Sequence, residues 1–336
     1  MSILEVENLS ITYRTLRGNV RAVDGVSFSL EEGESLGIIG ESGCGKTTVG
    51  KGILRLLPGN AELTGSLFFK KKELIRISES EMRSIRGKEI AMIPQSAMNA
   101  LDPVDKVKDF IIDGMRAHRE VASKANVETI RELFGSVHLE GSLVDHYPHM
   151  LSRGMRQRAV IATIFSLRPS LIIADEPTTA LDVIVQDQVL KQLAELIKKT
   201  RTSLILISHD IGVVAEHCQR MAVMYAGKIV EMGPTADLLT EAYHPYTMGL
   251  QNGFLGVRGK LKEIISIPGV PPNLITPPPG CRFSPRCPFS EERCPHEEPM
   301  LEEVSPGHRV ACHFHRRAAE MRPRAEKPET WMKDSL

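Results

Sequence analysis

A glycine-rich loop near residue 40 has the residue types and the spacing that bind nucleotide phosphates. Gly40 and Gly45 are separated by four residues and are followed by Lys46 and Thr47. Glycines let the backbone curl so that successive amide hydrogens point at phosphate oxygens. We expect Lys46 to contact the β- and γ-phosphates and the Thr47 hydroxyl to bind Mg²⁺. The residues predicted to bind nucleotide here are Gly40, Ser42, Gly43, Cys44, Gly45, Lys46, Thr47 and Thr48.

The elements around this loop are the ones that such a loop requires. A short apolar strand at residues 36–39 runs into the glycines, and residues 46–57 carry apolar side chains at helical spacing. The helix that begins near Lys46 directs the positive end of its dipole at the phosphates. A chance glycine-rich turn would lack this order of strand, loop and helix, so we interpret the loop as a nucleoside triphosphate site.

Two further apolar strands end in residues suited to metal binding and to activating water. The strand at residues 171–174 leads into Asp175 and Glu176, and the strand at residues 203–207 leads towards His209. Strands that alternate with helices predict a parallel sheet, whose strand ends line a ligand crevice. We expect Asp175 to bind Mg²⁺, Glu176 to polarise the attacking water and His209 to contact the γ-phosphate.

Four of the six cysteines lie in a proline-rich carboxy-terminal region with the spacing Cys-x5-Cys-x6-Cys-x17-Cys. In a reducing compartment, clustered cysteines bind a metal more often than they form disulfides. Four thiolates can complete a tetrahedral zinc site or bind an iron–sulfur cluster, and this spacing matches neither a zinc ribbon nor a ferredoxin. The residues alone therefore leave the metal open. The cysteines are Cys281, Cys287, Cys294 and Cys312, and the histidines that could compete with them as ligands are His296, His308 and His313.

A structural alternative exists for the four cysteines, because reduced thiols also pack as small apolar side chains. The other two cysteines, Cys44 and Cys218, stand alone in the sequence. We interpret Cys44 as a small loop residue and not as a reactive thiol.

Size and charge narrow the class of protein. The chain has 336 residues, with 42 basic and 42 acidic side chains, so its overall charge favours no binding to nucleic acid. Its apolar runs fall short of the ~18–20 residues that cross a bilayer. The first residues lack a basic region followed by an apolar stretch, so we expect no signal peptide and a cytosolic protein.

The motifs and the composition predict five segments. Prolines and cysteines accumulate after Gly233-Pro234, which indicates a separate small domain, and the residues after it are charged and aperiodic. The predicted segments are the first part of a nucleotide-binding core with a β subdomain and the phosphate loop (1–95), an α-helical subdomain (96–165), the second part of the core (166–250), a small cysteine-containing domain (251–318) and a loose tail (319–336).

Taken in order, the motifs resemble those of the ABC (ATP-binding-cassette) ATPases over roughly residues 3–250. The resemblance implies an α/β fold of the P-loop NTPase (RecA-like) class, with an antiparallel β subdomain and an α-helical subdomain. The small cysteine-containing domain would be an addition at the carboxy terminus. The matching residues are 40–47, Gln95, 151–157, Asp175 with Glu176, Ala180 to Asp182, and His209.

The resemblance also implies that two such domains dimerise head to tail. Each ATP then lies between the phosphate loop of one subunit and the signature loop of the other. Tyr13 would stack on the adenine, which suits its aromatic face. Ser152 and Gly154 would contact the partner's ATP at a helix start, and Asp182 would cross the dimer interface.

The same resemblance gives roles to two residues beside the metal. Glu176 would be the general base for hydrolysis. Gln95 would bind at the Mg²⁺ site and couple it to the transport partner. With His209, these residues form the predicted catalytic set.

One residue of the signature departs from the family pattern. Family members read Leu-Ser-Gly-Gly, whereas residues 151–154 of this chain read Leu-Ser-Arg-Gly. Arg153 adds bulk and charge where the backbone lies close to phosphate. Because this signature would serve the partner's nucleotide, we expect an asymmetric pair of ATP sites.

The carboxy-terminal region has a narrower resemblance, to the ATPases of oligopeptide and dipeptide importers. It is carried by residues 243–247, 267–269 and 280–288. The resemblance implies a second, different ATPase subunit, two transmembrane permease subunits and an extracytoplasmic solute-binding protein. The chain would then lie at the cytoplasmic face of the cell membrane, attached through the permease. In these relatives the cysteines are associated with a [4Fe–4S] cluster, which we adopt, in a structural role, with zinc as the alternative.

The expected function is that of an ATP-hydrolysing subunit that powers the import of di- or oligopeptides. The same machine could import an oligosaccharide or a metal ion, because the solute contacts the permease and the binding protein. A soluble ABC ATPase of translation or DNA repair is a further alternative, but such proteins usually carry two cassettes or a long coiled coil. A metal-sensing regulator is disfavoured by the intact Lys46, Asp175 and Glu176.

Overall fold

The computed structural model describes residues 1–95, 100–118, 124–179, 181–252 and 265–332. Ala180 of the predicted motifs, the start of the predicted small domain and the last four residues of the predicted tail lie outside the described residues. The chain forms two compact units. The first contains Met1, Glu31–Glu34 and Arg76–Leu206, and the second contains Ser2–Leu30, Ser35–Ile75 and Ile207–Leu336.

Strands and helices are interspersed along the chain. The strands are β1 (Ser2–Thr15), β2 (Gly18–Glu31), β3 (Ser35–Ile39), β4 (Ala61–Phe69), β5 (Lys72–Glu73), β6 (Ile90–Ile93), β7 (Leu171–Asp175), β8 (Ser203–Ser208), β9 (Arg220–Tyr225), β10 (Lys228–Pro234), β11 (Glu302–Ser305) and β12 (His308–Val310). The helices are α1 (Lys46–Ile53), α2 (Glu79–Ile85), α3 (Val107–Ala117), α4 (Lys124–Ser136), α5 (Arg153–Phe165), α6 (Val183–Thr200), α7 (Ile211–His217), α8 (Thr235–Thr240), α9 (Pro245–Asn252), α10 (Ala318–Ala325) and α11 (Pro328–Trp331).

An antiparallel sheet in the second unit confirms the predicted β subdomain. Its strand order is β2-β1-β4-β5, and β1 pairs with β4 along most of its length. The register shifts between Glu7 and Ser10. At this shift Gly65 lies so close to β1 that a Cβ atom would come within 2.6 Å of the Asn8 carbonyl oxygen. A glycine is therefore required on the partner strand.

The second unit also contains the part of the main sheet that leads into the phosphate loop. Its strand order is β11-β12-β10-β9-β3, in which β3 and β9 are parallel and the other pairs are antiparallel. All five residues of β3 are buried, as expected for a strand covered on both faces. The carboxy-terminal strands β11 and β12 therefore extend the same sheet that contains β3.

The first unit combines parallel strands with the predicted helical subdomain. Its strand order is β6-β7-β8, and β6 and β7 are parallel neighbours. Helix α5 packs against α3, α4 and α6, with Val160, Ile161 and Phe165 in the buried face. Helix α2 begins with a capping box, in which Ser78 accepts from the Glu81 amide and the Glu81 carboxylate accepts from the Ser78 amide. The α/β class and the helical subdomain are thus confirmed.

Two helices lie within residues 318–331, which corrects the prediction of a loose tail for the described part of residues 319–336. Helices α10 and α11 cover residues 318–331, and the side chains of Met321, Ala325 and Trp331 are buried. Trp331 Nε1 and Asn252 Nδ2 both donate to the Ala325 carbonyl, at 2.8 and 2.7 Å. The charged residues of this segment obscured three buried apolar positions at helical spacing, Ala318, Met321 and Ala325. No helix among the described residues is both long enough and apolar enough to span a lipid bilayer.

Candidate functional site

The phosphate loop joins β3 to α1 in a conformation that only glycine adopts at three positions. Gly40, Gly43 and Gly45 have φ angles of 150, 81 and 105°. A Cβ atom at Gly40 would lie 2.1 Å from the Met224 carbonyl oxygen, and one at Gly45 would lie 2.2 Å from the Ala22 carbonyl oxygen. The predicted loop is therefore formed by close packing against the neighbouring backbone.

Lys46 places its ammonium group inside the phosphate loop. Its side chain is 5% exposed, and Nζ donates to the carbonyl oxygens of Gly40 at 2.6 Å and Glu41 at 3.0 Å. Gly45, the N-cap of α1, has no side-chain oxygen to offer the first amides of the helix. The loop thus combines a cation with a helix start, which is the arrangement that binds phosphate.

Cys44 lies in the same loop as a buried thiol. Burial raises its pKa, although the ammonium of Lys46, 3.8 Å from Sγ, acts in the opposite direction. The thiol is therefore neutral at physiological pH, and neutral thiols are poor nucleophiles. This agrees with the interpretation of Cys44 as a small loop residue.

His209 follows β8 and lines a cleft of about 460 Å³ in the second unit. The same cleft is lined by Glu41 of the phosphate loop and by Ile39 at the end of β3. His209 is exposed, so its ring can meet a ligand. Tyr13 lies half-buried on β1, opposite Ala61 on β4, and its ring is accessible for stacking.

In the first unit, the structure brings together two residues that are 81 positions apart in the sequence. Gln95 Nε2 donates to Glu176 Oε2 at 3.0 Å, and the Thr179 hydroxyl donates to the same oxygen at 3.0 Å. Glu176 has a φ angle of 44°, which is uncommon for a residue with a side chain and turns the chain at the end of β7. Asp175, its neighbour, is buried. The structure thus brings together two residues, Gln95 and Glu176, to which the resemblance gave separate roles.

The signature residues lie at the start of α5. Ser152 is the N-cap, and its hydroxyl oxygen accepts from the Met155 amide at 3.3 Å. Gly154 is buried where a Cβ atom would lie 2.6 Å from Val185 Cγ1, so α5 and α6 approach each other more closely than a larger residue permits. Arg153 is exposed at the first position of the helix. A cation there opposes the helix dipole.

Asp182 lies at the start of α6, where Oδ1 accepts from the Val185 amide at 3.0 Å. The two residues after it, Val183 and Ile184, are 82% and 72% exposed. Large apolar side chains so fully exposed beside a predicted interface residue indicate a contact surface.

One residue of the matching segment 151–157 received no role in the sequence analysis. Gln157 is buried in α5, and its Nε2 donates to the Pro177 carbonyl, directly after Glu176. It therefore joins the signature helix to the loop that contains the predicted general base. In the sequence, Gln157 is marked by its place in the matching segment 151–157 and by being a glutamine on the apolar face of a helix.

The four carboxy-terminal cysteines line one cavity of about 20 Å³, together with the rings of Phe283, Phe289 and Phe314. All four are free cysteines. Burial raises the pKa of Cys281 and Cys287, and it raises that of Cys312 to about 12. The sequence Cys-x-Phe recurs three times in this region, and each time the phenylalanine amide bonds to the cysteine sulfur two positions earlier. We call this group the four-cysteine pocket: Cys281, Cys287, Cys294 and Cys312.

The four-cysteine pocket does not have the geometry of a single-ion site. Across the part of the chain that the structure describes, no group of three or more His, Cys, Asp or Glu side chains is arranged to hold a metal ion. His308 is not a competing ligand, because its Nε2 forms a 2.8 Å hydrogen bond with buried Glu231. His296 is absent from the lining of the cavity, whereas His313 belongs to it.

Two models of known protein families match different parts of the chain. Residues 23–179 match the family model described as ABC transporter. Residues 230–294 match the model described as the oligopeptide/dipeptide transporter C-terminal region.

Curated relatives match nearly the whole chain. The dipeptide transport ATP-binding protein DppD of Bacillus subtilis is 43% identical over 322 residues, which cover 95% of this chain and 96% of the relative. The oligopeptide transport ATP-binding protein OppD of Salmonella typhimurium is 40% identical over 312 residues, which cover 92% of this chain and 93% of the relative.

Solved structures show the same cassette fold. The dimeric structure of the bacterial ABC transporter cassette MJ0796 has a TM-score of 0.62 at 25% identity, covering 69% of this chain and 98% of that one. CbiO1 of Clostridium perfringens, part of an ABC transporter complex, has a TM-score of 0.61 at 26% identity, covering 74% of this chain and 95% of that one. Given relatives that are 40–43% identical over more than 90% of its length, the chain belongs to the ABC-type ATPases that carry the oligopeptide/dipeptide transporter C-terminal region.

Proposed function

We propose that this chain binds and hydrolyses ATP to power the import of di- or oligopeptides across a membrane. The observation that carries the proposal is the buried ammonium of Lys46 inside the glycine loop at the start of α1. The peptide assignment is supported by two relatives, which are a dipeptide and an oligopeptide transport ATP-binding protein. It is supported also by the match of residues 230–294 to the oligopeptide/dipeptide transporter C-terminal region.

The proposed ATP site assigns three tasks to the residues of this chain. Backbone amides of residues 40–48 and the ammonium of Lys46 bind the phosphates, while Tyr13 stacks on the adenine. Glu176 orients and deprotonates the attacking water, and Gln95 fixes the carboxylate by donating to it at 3.0 Å. A bound Mg²⁺ supplies positive charge to the phosphates, and its proposed ligands are Thr47, Asp175 and Gln95. His209 contacts the γ-phosphate.

We propose that the chain pairs with a second, different ABC ATPase subunit. Ser152, Gly154 and Asp182 would contact the partner's nucleotide and its interface, and the exposed Val183 and Ile184 lie beside Asp182. The arginine in the signature makes the two ATP sites unequal. Two permease subunits would bind the pair at the cytoplasmic face of the cell membrane, and a solute-binding protein would deliver the peptide from outside.

We propose a [4Fe–4S] cluster in the four-cysteine pocket, with a structural role. The donors fit such a group, because four thiols line one cavity and three of their sulfurs accept from backbone amides. A zinc ion needs its sulfurs at about 2.3 Å from one point, whereas each thiolate of a cluster binds a separate iron. Either group would use all four thiols, and zinc is the alternative occupant of the pocket.

Peptide uptake tests the proposed function. We expect vesicles that contain this chain, its companion ATPase and both permease subunits to take up a labelled dipeptide when ATP and the binding protein are present. ATP hydrolysis should rise with the loaded binding protein, because substrate delivery closes the ATPase pair. Labelled oligosaccharides and metal ions are the matched alternatives. Uptake of one of these, without the dipeptide, would show that the machine carries another solute.

Anaerobic purification tests the cluster. We expect a brown protein with iron and acid-labile sulfide in equal amounts, and Cys287→Ala should lose both because it removes one of the four thiolates. Cys218→Ala is the matched control, since Cys218 is a buried cysteine outside the pocket. A colourless protein that contains zinc would show that zinc, and not an iron–sulfur cluster, occupies the pocket. A metal-free protein of normal stability would show that the four cysteines only pack as apolar side chains.

A further inference from the structure

Arg286 of the carboxy-terminal region lies directly before Cys287 and reaches the phosphate loop. Its Nη1 donates to Glu41 Oε2 at 2.7 Å, and its Nη2 donates to Glu41 Oε1 at 2.9 Å. Two parallel bonds between a guanidinium and a carboxylate form the strongest and most directional kind of ion pair. Because Glu41 is the second residue of the loop that begins at Gly40, this ion pair joins the carboxy-terminal region to the loop.

Further hydrogen bonds hold the Arg286 side chain in place. Its guanidinium is 8% exposed and donates also to the Tyr225 hydroxyl at 3.2 Å and to the carbonyls of Pro268 at 2.8 Å and Ile267 at 3.2 Å. The backbone is fixed as well, since the Arg286 amide donates to the Phe283 carbonyl at 3.0 Å. An arginine with this many bonds has no other stable orientation.

Glu41 connects this arginine to Lys46. Its amide donates to the Tyr246 hydroxyl at 2.9 Å, and its carbonyl accepts from Lys46 Nζ at 3.0 Å. The ion pair of the side chain and the two hydrogen bonds of the backbone N–H and C=O together fix the orientation of Glu41. The Glu41 carbonyl is one of the two that bind the Lys46 ammonium.

The charge of Glu41 gives the ion pair its significance. A carboxylate in a loop that receives a triphosphate repels the ligand, and the repulsion is stronger where burial lowers the local dielectric. The Glu41 side chain is 26% exposed, so water screens it only in part. Arg286 neutralises this carboxylate and fixes its position through the two parallel hydrogen bonds.

We propose that Arg286 is a positioning residue of the ATP site, which neutralises Glu41 and orients the phosphate loop for binding. The inference rests on the proposed role of this loop in binding ATP. It assigns to the carboxy-terminal region a direct part in nucleotide affinity. The residue acts through Glu41 and does not itself contact the nucleotide.

Nucleotide titration of the full-length Arg286→Gln variant tests this inference. We expect its affinity for ATP to fall about 10- to 100-fold, which corresponds to the loss of one charge-assisted interaction. The loss should decrease in the order ATP, ADP, AMP, because the repulsion from an uncompensated Glu41 grows with the charge of the ligand. Adding Glu41→Gln to Arg286→Gln should restore most of the affinity. A purely structural role for Arg286 predicts an equal loss for all three nucleotides and no restoration.

Arg282→Gln is the matched control. Arg282 is a second buried arginine of the carboxy-terminal region, four residues before Arg286. It donates to Asp24 and to the Ala226 carbonyl and not to Glu41. We expect Arg282→Gln to lower the stability of the folded protein. Any loss of nucleotide affinity in this variant should be the same for ATP, ADP and AMP. If Arg286→Gln does not fold, Arg286→Lys retains the positive charge and should give an intermediate affinity. ATP affinity unchanged in Arg286→Gln or Arg286→Lys would overturn the inference, whereas a wild-type chain that binds no ATP would overturn the proposed function itself.

Discussion

Glu176→Gln is expected to slow ATP turnover by about 10²- to 10⁴-fold, the usual contribution of a general base, while ATP remains bound. Glutamine retains the size of glutamate and one oxygen that can accept from Gln95 and Thr179. It lacks the negative charge and the basicity that take a proton from water. The variant should therefore form the complex that precedes hydrolysis and stop there. Single-turnover phosphate release measures the slowed step, and retention of labelled ATP measures the binding that persists.

The geometry around Glu176 favours this residue over its neighbour Asp175 for the proposed role of general base. Asp175 belongs to β7 and is buried, whereas Glu176 follows the strand at a φ angle of 44°. Two donors bind one of its oxygens, at 3.0 Å each, and leave the carboxylate in a single orientation. A fixed orientation matters because a general base must meet its proton within hydrogen-bond distance.

Glu195→Gln is the control for this experiment. Glu195 is an exposed glutamate on α6 in the same unit, away from the start of the helix. We expect its turnover to equal that of the wild type. Hydrolysis at the wild-type rate in Glu176→Gln would remove Glu176 from the role of general base.

The phosphate loop could be predicted from the sequence because its determinants are local. Strand, glycines, lysine and helix follow within about twenty residues, and the glycine positions coincide with φ angles that other residues avoid. Gln95 and Glu176 lie far apart in the sequence; the resemblance to a family gave each a role, but their hydrogen bond was not predicted. Local patterns do not encode which distant side chains will meet.

The carboxy-terminal region shows the same limit more strongly. Its strands β11 and β12 have four and three residues, too short for an alternating pattern to be recognised. They nevertheless extend the sheet, and β12 pairs with β10 at Glu231 and Met232. The sequence analysis considered His308 as a possible metal ligand because it lies close to the cysteines in the sequence. In the structure it bonds to Glu231, whose carboxylate also accepts from the amides of Tyr243 and His244.

Lys46→Ala is expected to lower the affinity for ATP about 10- to 100-fold, the value of one or two charge-assisted bonds, and to abolish hydrolysis. The Lys46 ammonium is the cation inside the loop, bound here to the carbonyls of Gly40 and Glu41. Alanine removes the charge that attracts the phosphates and leaves these two carbonyls without that donor. The loop then binds the nucleotide through amides and the helix start alone, without the ion that neutralises the triphosphate.

Thermal unfolding with and without ATP separates this binding defect from a folding defect. A ligand at 100 times its Kd stabilises the folded state by about 2.7 kcal/mol. We expect wild type and Lys51→Ala, an exposed lysine on the same helix, to gain that stability, and Lys46→Ala to gain much less at the same ATP concentration. Glu176→Gln should be stabilised by ATP as much as the wild type. The two variants therefore distinguish a defect in ATP binding from a defect in hydrolysis. An equal gain in Lys46→Ala would mean that the phosphates bind elsewhere and that the loop is not the ATP site.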